Sequence, residues 1–183
     1  MRRNLKLHPD STCCAVTAIE AEASRSGAGL ALLYVVTGDI GAFRLPAIRE
    51  QGRADGLWRQ TCFEAFLRPQ AREEYYEFNF APSLQWAAYG FSGYRSGMRA
   101  AEEFGGLRIE IESDASRLEL RVALSLSELP DLLPDAPWRL GLSAIIEEAT
   151  GAMSYWALAH PAGKPDFHHP DCFALELPPA LRA

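Results

Sequence analysis

Two glutamates and a histidine-rich stretch are the residues best equipped for chemistry in this chain. In Thr61-Cys-Phe-Glu-Ala-Phe-Leu67, side-chain alternation puts Glu64 on one face with Cys62 and Phe66, and Phe63, Ala65 and Leu67 on the other. A carboxylate among apolar neighbours must reach water or find a donor, because burying it alone costs several kcal/mol. In Tyr75-Tyr-Glu-Phe-Asn-Phe80, Tyr76, Phe78 and Phe80 form an apolar stripe, and Tyr75, Glu77 and Asn79 form the opposite one. If the two segments pair as strands, Glu64, Glu77 and Asn79 gather on one sheet face. Rings beside carboxylate and amide acceptors suit a sugar-like ligand: the rings stack on its apolar faces and the acceptors take its hydroxyl protons. The plainer alternative is a solvated face, or an ion pair with Arg59 or Arg95.

Between Asn79 and Arg95 lie several aromatic residues, of which Trp86, Tyr89 and Tyr94 could line a groove together with Arg95. Arg95 could pair with Glu64 or hold an anionic ligand group. The stretch from Tyr155 to Asp171 holds every histidine except His8, stiffened by prolines. His160, Asp166, His168 and His169 could ligate zinc, but their spacing matches no standard zinc signature. The alternative is a loop that hydrogen-bonds onto itself. There is no GxSxG, P-loop or GxGxxG leading into a helix. The Glu64–Glu77 pair makes glycosidase-type chemistry conceivable, yet no spacing marks either as an acid. The reading therefore leans away from an enzyme.

The chain has 183 residues, enough for one domain over 1–183. A net charge of -6 argues against nucleic acid and anionic membranes as partners. No apolar stretch follows the opening Met-Arg-Arg as a secretory signal would require, and no run reaches the length of a membrane span. A cytoplasmic location is expected. Cys13, Cys14, Cys62 and Cys172 include no CxxC, so they read as free thiols.

The elements that must position these residues are short strands. Val16 to Ala23, Leu30 to Val36, Thr61 to Leu67, Tyr75 to Phe80 and Trp86 to Tyr94 read as strands broken by turn residues. Ala18 to Ser26 has an alternative as helix by propensity, and Leu30 to Val36 reads as covered on both faces. A hairpin follows, with Leu107, Ile109 and Ile111 facing inward before the Ser113–Ser116 turn and Leu118, Leu120, Val122 and Leu124 after it. Ser127 opens one short helical turn. Trp138 to Ile146 and Met153 to Leu158 form a second hairpin, and Phe173 to Leu177 ends the series. About nine strands with frequent turns predict an all-β, antiparallel two-sheet sandwich of jelly-roll type.

The ordered set Leu57-Trp58 to Leu67, Tyr75 to Ser83, Trp86, Leu124 to Leu129, Trp138, Ser154 to Trp156 and Phe167 to Phe173 resembles the DOMON-like sandwich domains. It is also similar to the family 9 carbohydrate-binding modules. The resemblance covers residues 10 to 178 or so and looks closest to stand-alone bacterial DOMON-like proteins. It implies a β-sandwich that binds a sugar without transforming it, with Trp58 and Trp156 at the positions that clamp a sugar. Trp58, Trp86 and Trp156 would stack, while Glu64, Glu77, Asn79, Arg95 and His168 would supply hydrogen bonds. Some DOMON relatives hold haem, for which Met98 with His160 or His168 would be axial ligands. No cofactor is otherwise expected.

Overall fold

The computed structural model describes residues 2–179. Burial alternates at period two over Val16–Ser26 and Arg117–Ser125 and is nearly continuous in the strands from Cys62 to Phe91 and from Trp138 to Glu147. The strands are β1 (Arg2–Leu7), β2 (Val16–Ser26), β3 (Gly29–Gly38), β4 (Gly52–Arg53), β5 (Cys62–Pro69), β6 (Tyr75–Phe80) and β7 (Gln85–Phe91). They continue as β8 (Arg99–Ala100), β9 (Leu107–Ser113), β10 (Arg117–Ser125), β11 (Trp138–Glu147), β12 (Met153–Ala157) and β13 (Leu175–Leu177). In β10 the even-numbered Leu118, Leu120, Val122 and Leu124 are buried while their neighbours are half-buried or exposed, as alternation requires.

The sheet differs from the expected architecture. Instead of two separate antiparallel sheets, one hydrogen-bonded path runs β4-β7-β6-β5-β11-β12-β1-β2-β3-β10-β9, with β13 on β11 and β8 on β7. All pairings are antiparallel except β4 with β7, which is parallel. The link is β1. Its first four residues pair with β2 and its last two with β12, so it bridges the halves. A twisted sheet this long curls. Here it folds into a half-barrel whose halves pack on each other. Strand β1 escapes sequence reading because Arg-Arg-Asn-Leu-Lys-Leu carries too few apolar residues to signal a strand.

The core lies between the halves. Tyr34 of β3 meets Phe63 of β5 with ring centroids 5.1 Å apart, and its hydroxyl donates to the Glu64 carbonyl oxygen at 2.6 Å. That bond satisfies two buried polar groups at the point where the halves touch. Phe78, Phe80, Trp138 and Leu140 are fully buried in the same cluster.

Smaller expectations also change. Val16–Ser26 is a strand throughout, because Ile19, Ala21 and Ala23 bury at period two between β1 and β3, so the helical alternative fails. In β3, Ala31 is exposed and Leu33 only half-buried, so that strand is not covered on both faces. The segment after Ser127 makes successive tight turns instead of a helical one, with Leu129 N–H donating to the Leu126 carbonyl and Leu132 N–H to that of Leu129. The short 3-10 turns lie elsewhere, at Ile40–Ala42, Leu57–Arg59 and Pro170–Cys172.

Candidate functional site

Register builds the site. Glu64 of β5 lies opposite Asn79 of β6 and opposite Ser143 of β11; Phe66 lies opposite Glu77. Glu77 in turn faces Tyr89 of β7, and Tyr75 faces Phe91. Ile145 of β11 pairs with Tyr155 of β12. Alternation places these residues on the face of the sheet turned away from the core.

That face is roofed by the segment following β12, residues 158–174. Phe173 and His168 pack edge-on against Phe66, at 6.3 and 5.0 Å, and His168 also meets Phe91 at 5.1 Å. The turn at Pro170–Cys172 comes so close to β11 that a Cβ on Gly141 would sit 2.9 Å from the Cys172 carbonyl oxygen. A glycine opposite Phe66 is what lets the roof settle. Asp166 fastens the other end. It accepts hydrogen bonds from Tyr94, from Nε and Nη2 of Arg95, and from the His168 backbone N–H.

Between sheet and roof lies a cavity of about 360 Å³. Trp58, Phe66, Phe91, Tyr155 and Phe167 provide aromatic walls, with Ile145, Met98 and Pro165 beside them. Glu64, Glu77, Arg95 and His168 are its charged or titratable lining. Trp58 reaches the rim from the 3-10 turn Leu57–Arg59 and stands edge-on to Tyr89 at 5.8 Å.

The two carboxyl groups are nearly out of water, at 2% and 6% residue exposure for Glu64 and Glu77. Ser143 donates to Glu64 Oε2 at 2.9 Å and Asn79 donates to Glu77 Oε1 at 2.7 Å. Burial first, then the neighbouring Glu77 charge, pushes Glu64 up to about 8, against the opposing pull of Ser143 and Arg95. Burial also raises Glu77, while Asn79 and Arg95 pull it down. His168 moves the other way. Burial and then the Arg95 charge lower it to about 4, with Asp166 opposing. Neutral at pH 7, His168 makes no ion pair with Glu77 despite an Nε2–Oε2 separation of 3.7 Å.

Of the residues picked from sequence, Trp58, Glu64, Glu77, Arg95 and His168 meet in the cavity. Asn79 supports Glu77 and accepts from the Cys62 thiol at 3.5 Å. Tyr89 backs Trp58 and donates to Asp55 Oδ1 at 2.8 Å. Asp166 holds Arg95, so Arg95 pairs with it and not with Glu64. Trp86 and Trp156 point the opposite way. Trp86 packs in the core against Phe104 at 5.6 Å, and Trp156 is buried there with its indole N–H on Ser154 Oγ. Alternation explains both. Trp86 and Tyr89 are three residues apart and cannot share a strand face, and Trp156 adjoins the cavity residue Tyr155. Arg59 is exposed and outside the lining.

The histidines diverge. His160 donates through Nε2 to the Lys6 carbonyl and meets the His8 ring at 4.8 Å, so it shares no site with Met98. His168 Nδ1 bonds the Tyr75 hydroxyl at 2.7 Å, and His169 Nδ1 accepts from Asp171 N–H. His168 Nδ1 is taken by Tyr75 and its Nε2 points at the buried Glu77 carboxyl 3.7 Å away, where an axial iron would have to displace that carboxyl, so the residues do not fit haem. Among the described residues no three His, Cys, Asp or Glu side chains are grouped to hold a metal. Sequence reasoning overlooked Phe91, Ile145, Tyr155 and Phe167; the pairing of Ile145 with Tyr155 was the signal within reach, had the second hairpin been registered.

No family model and no curated protein matches this chain. Solved structures do. A candidate carbohydrate-binding protein from Bacteroides uniformis is similar with a TM-score of 0.70 at 16% identity, over 94% of this chain and 83% of that one. A family 9 carbohydrate-binding module from Caldicellulosiruptor kristjanssonii, in complex with cellotriose, gives 0.49 at 8% identity over 84% of this chain and 70% of the other. With glucose bound, the corresponding values are 0.49 and 9% over 84% and 72%. At such identities the Bacteroides likeness is one of fold.

Proposed function

We propose that the chain binds a small carbohydrate without transforming it. The observation that carries this reading is a cavity with aromatic walls over buried carboxyl groups. Rings such as Trp58 and Tyr155 offer surfaces for the C–H faces of a sugar, while carboxylate oxygens accept from its hydroxyls. The volume of about 360 Å³ lies at the small end of ligand sites, which run from about 300 to 1,000 Å³, and suits a short saccharide over a long chain. The fold shared with the Bacteroides protein, described as carbohydrate-binding, supports the same reading. Arg95 would not capture an anion freely, since Asp166 already takes two of its donors.

Tryptophan fluorescence tests this well, because Trp58 lines the cavity while Trp86, Trp138 and Trp156 are buried in the core. Titrating a panel of monosaccharides and disaccharides should change the emission, and Trp58→Phe should remove the change. A panel that leaves both emission and melting temperature untouched would sink the proposal.

A further inference from the structure

The cavity's polar groups point to a narrower ligand class. Glu64 uses one oxygen for Ser143 and Glu77 one for Asn79. The second oxygen of each has no hydrogen-bond partner among the described residues, although both side chains are more than nine-tenths buried and line the cavity. Glu64 faces Asn79 and Phe66 faces Glu77, so the two glutamates are diagonal neighbours, with backbones roughly 7–8 Å apart. Side chains at that spacing can converge on one small group between them.

The surrounding charges offset this pair only in part. Arg95, on the loop after β7, is matched by Asp166 of the roof. His168 of the roof is neutral at pH 7. The Cys62 thiol of β5 and the Tyr75 hydroxyl of β6 are kept protonated by burial. An entering cation would thus meet two buried carboxyl groups and a guanidinium already matched by Asp166. The walls, meanwhile, are aromatic, and ring faces attract cations.

We propose that this cavity receives an ammonium group on the two free glutamate oxygens, so that the carbohydrates it prefers are amino sugars with an unmodified amine. This rests on the carbohydrate reading above and narrows it. A cation placed there would stabilise both carboxylates, and Glu64 would give up its proton to solvent when the ligand enters. The ammonium would donate one hydrogen bond to each carboxylate, and the sugar ring would lie against the aromatic walls.

Calorimetric titration of the whole chain near pH 6, in two buffers of different ionisation enthalpy, tests this with glucosamine, glucose, N-acetylglucosamine, glucuronate and ethylamine as probes. Glucosamine should bind at least about tenfold more tightly than glucose or N-acetylglucosamine, the ratio expected of one charge-assisted hydrogen bond. Its binding should release about one proton, and the neutral sugars should release none. Glu64→Gln should abolish the release, and Glu77→Gln should cut the preference for glucosamine. Glucose matching glucosamine without proton release would overturn the inference and leave the carbohydrate reading standing. Tighter binding of glucuronate would do the same. Ethylamine releasing a proton while no sugar binds would support the ammonium site and overturn the carbohydrate reading. Silence from every probe would overturn both.

Discussion

Carboxylates stand on the outward face of both halves of the sheet, and they meet opposite fates. On β10, Glu119 stands between Arg117 and Arg121, which both bond it, and the Arg117 hydrogen bond holds its carboxyl below the ordinary range. On β5 and β6, Glu64 and Glu77 have no such partners, and burial drives both carboxyls up. On their own strand faces Glu119 is flanked by Arg117 and Arg121 and Glu64 by Cys62 and Phe66, but flanking residues do not by themselves remove water. What differs is the roof: residues 158–174 lie over one half, and the outer face of β9 and β10 carries charged residues such as Arg108, Glu110 and Arg121, which pair at the surface. Taking water away from a carboxylate turns an ordinary surface charge into a group with an unmet demand for a partner.

The contrast breaks most sharply with pH. Glu64 has a folded value of about 8 against an ordinary 4.5, so the folded chain holds a proton that the unfolded chain loses. Stability from this group is complete below about 4.5 and declines as pH rises through about 8, at a limiting slope of about 1.4 kcal/mol per pH unit. Glu64→Gln should flatten that decline, which urea unfolding from pH 6.5 to 8 would read. An unchanged slope would mean that Glu64 ionises freely in the folded chain.

His168 should shape the acid side. Its value of about 4 against an ordinary 6.5 means the folded chain resists a proton the unfolded chain accepts. Its contribution is present above about 6.5 and is lost as pH falls through about 4. Between about 4.5 and 6.5 the two limbs oppose each other, so His168→Gln should be made in the Glu64→Gln background, where it should appear as a weaker loss of melting temperature as pH falls from 6.5 to about 4.

Unfastening the roof tests the comparison directly. Asp166→Ala removes the acceptor for Tyr94, Arg95 and the His168 N–H. The expected cost is about 2 kcal/mol in chemical unfolding, with faster amide exchange confined to the roof. Exchange rising uniformly across β9 and β10 as well would show that the halves are not independent in this respect. The smallest effect belongs to Glu119→Gln: surface ion pairs contribute little, and melting should stay within error of the parent chain.

How much of this the sequence disclosed depended on the reach of each signal. Strands β9 and β10 were legible because their alternation is regular and local, and β6 because it is rich in aromatic residues. Strands β4 and β8, of two residues each, carry no period to detect. The gathering of Glu64, Glu77 and Asn79 on one face followed from the parity of two adjacent strands. Trp86 and Trp156 lie on the core side because their strand parity is opposite to that of Tyr89 and Tyr155, which aromatic type alone does not reveal. Arg95 and Asp166 were both picked as site residues, but their pairing was not, since 71 residues separate them.

The sequence by itself determined which residues share a strand face, because side-chain direction in a strand is fixed by backbone geometry two residues at a time. It therefore determined that carboxylates and aromatic rings would meet somewhere on this sheet. That the face opposite the core is roofed into a cavity was decided only by tertiary structure. β1 joins the halves and makes the sheet curl onto Phe63 and Phe78, and the 158–174 segment, seated on Gly141 and tied through Asp166 to Arg95, closes over Glu64 and Glu77. Those contacts join residues far apart in the chain, and neither local propensity nor period encodes them.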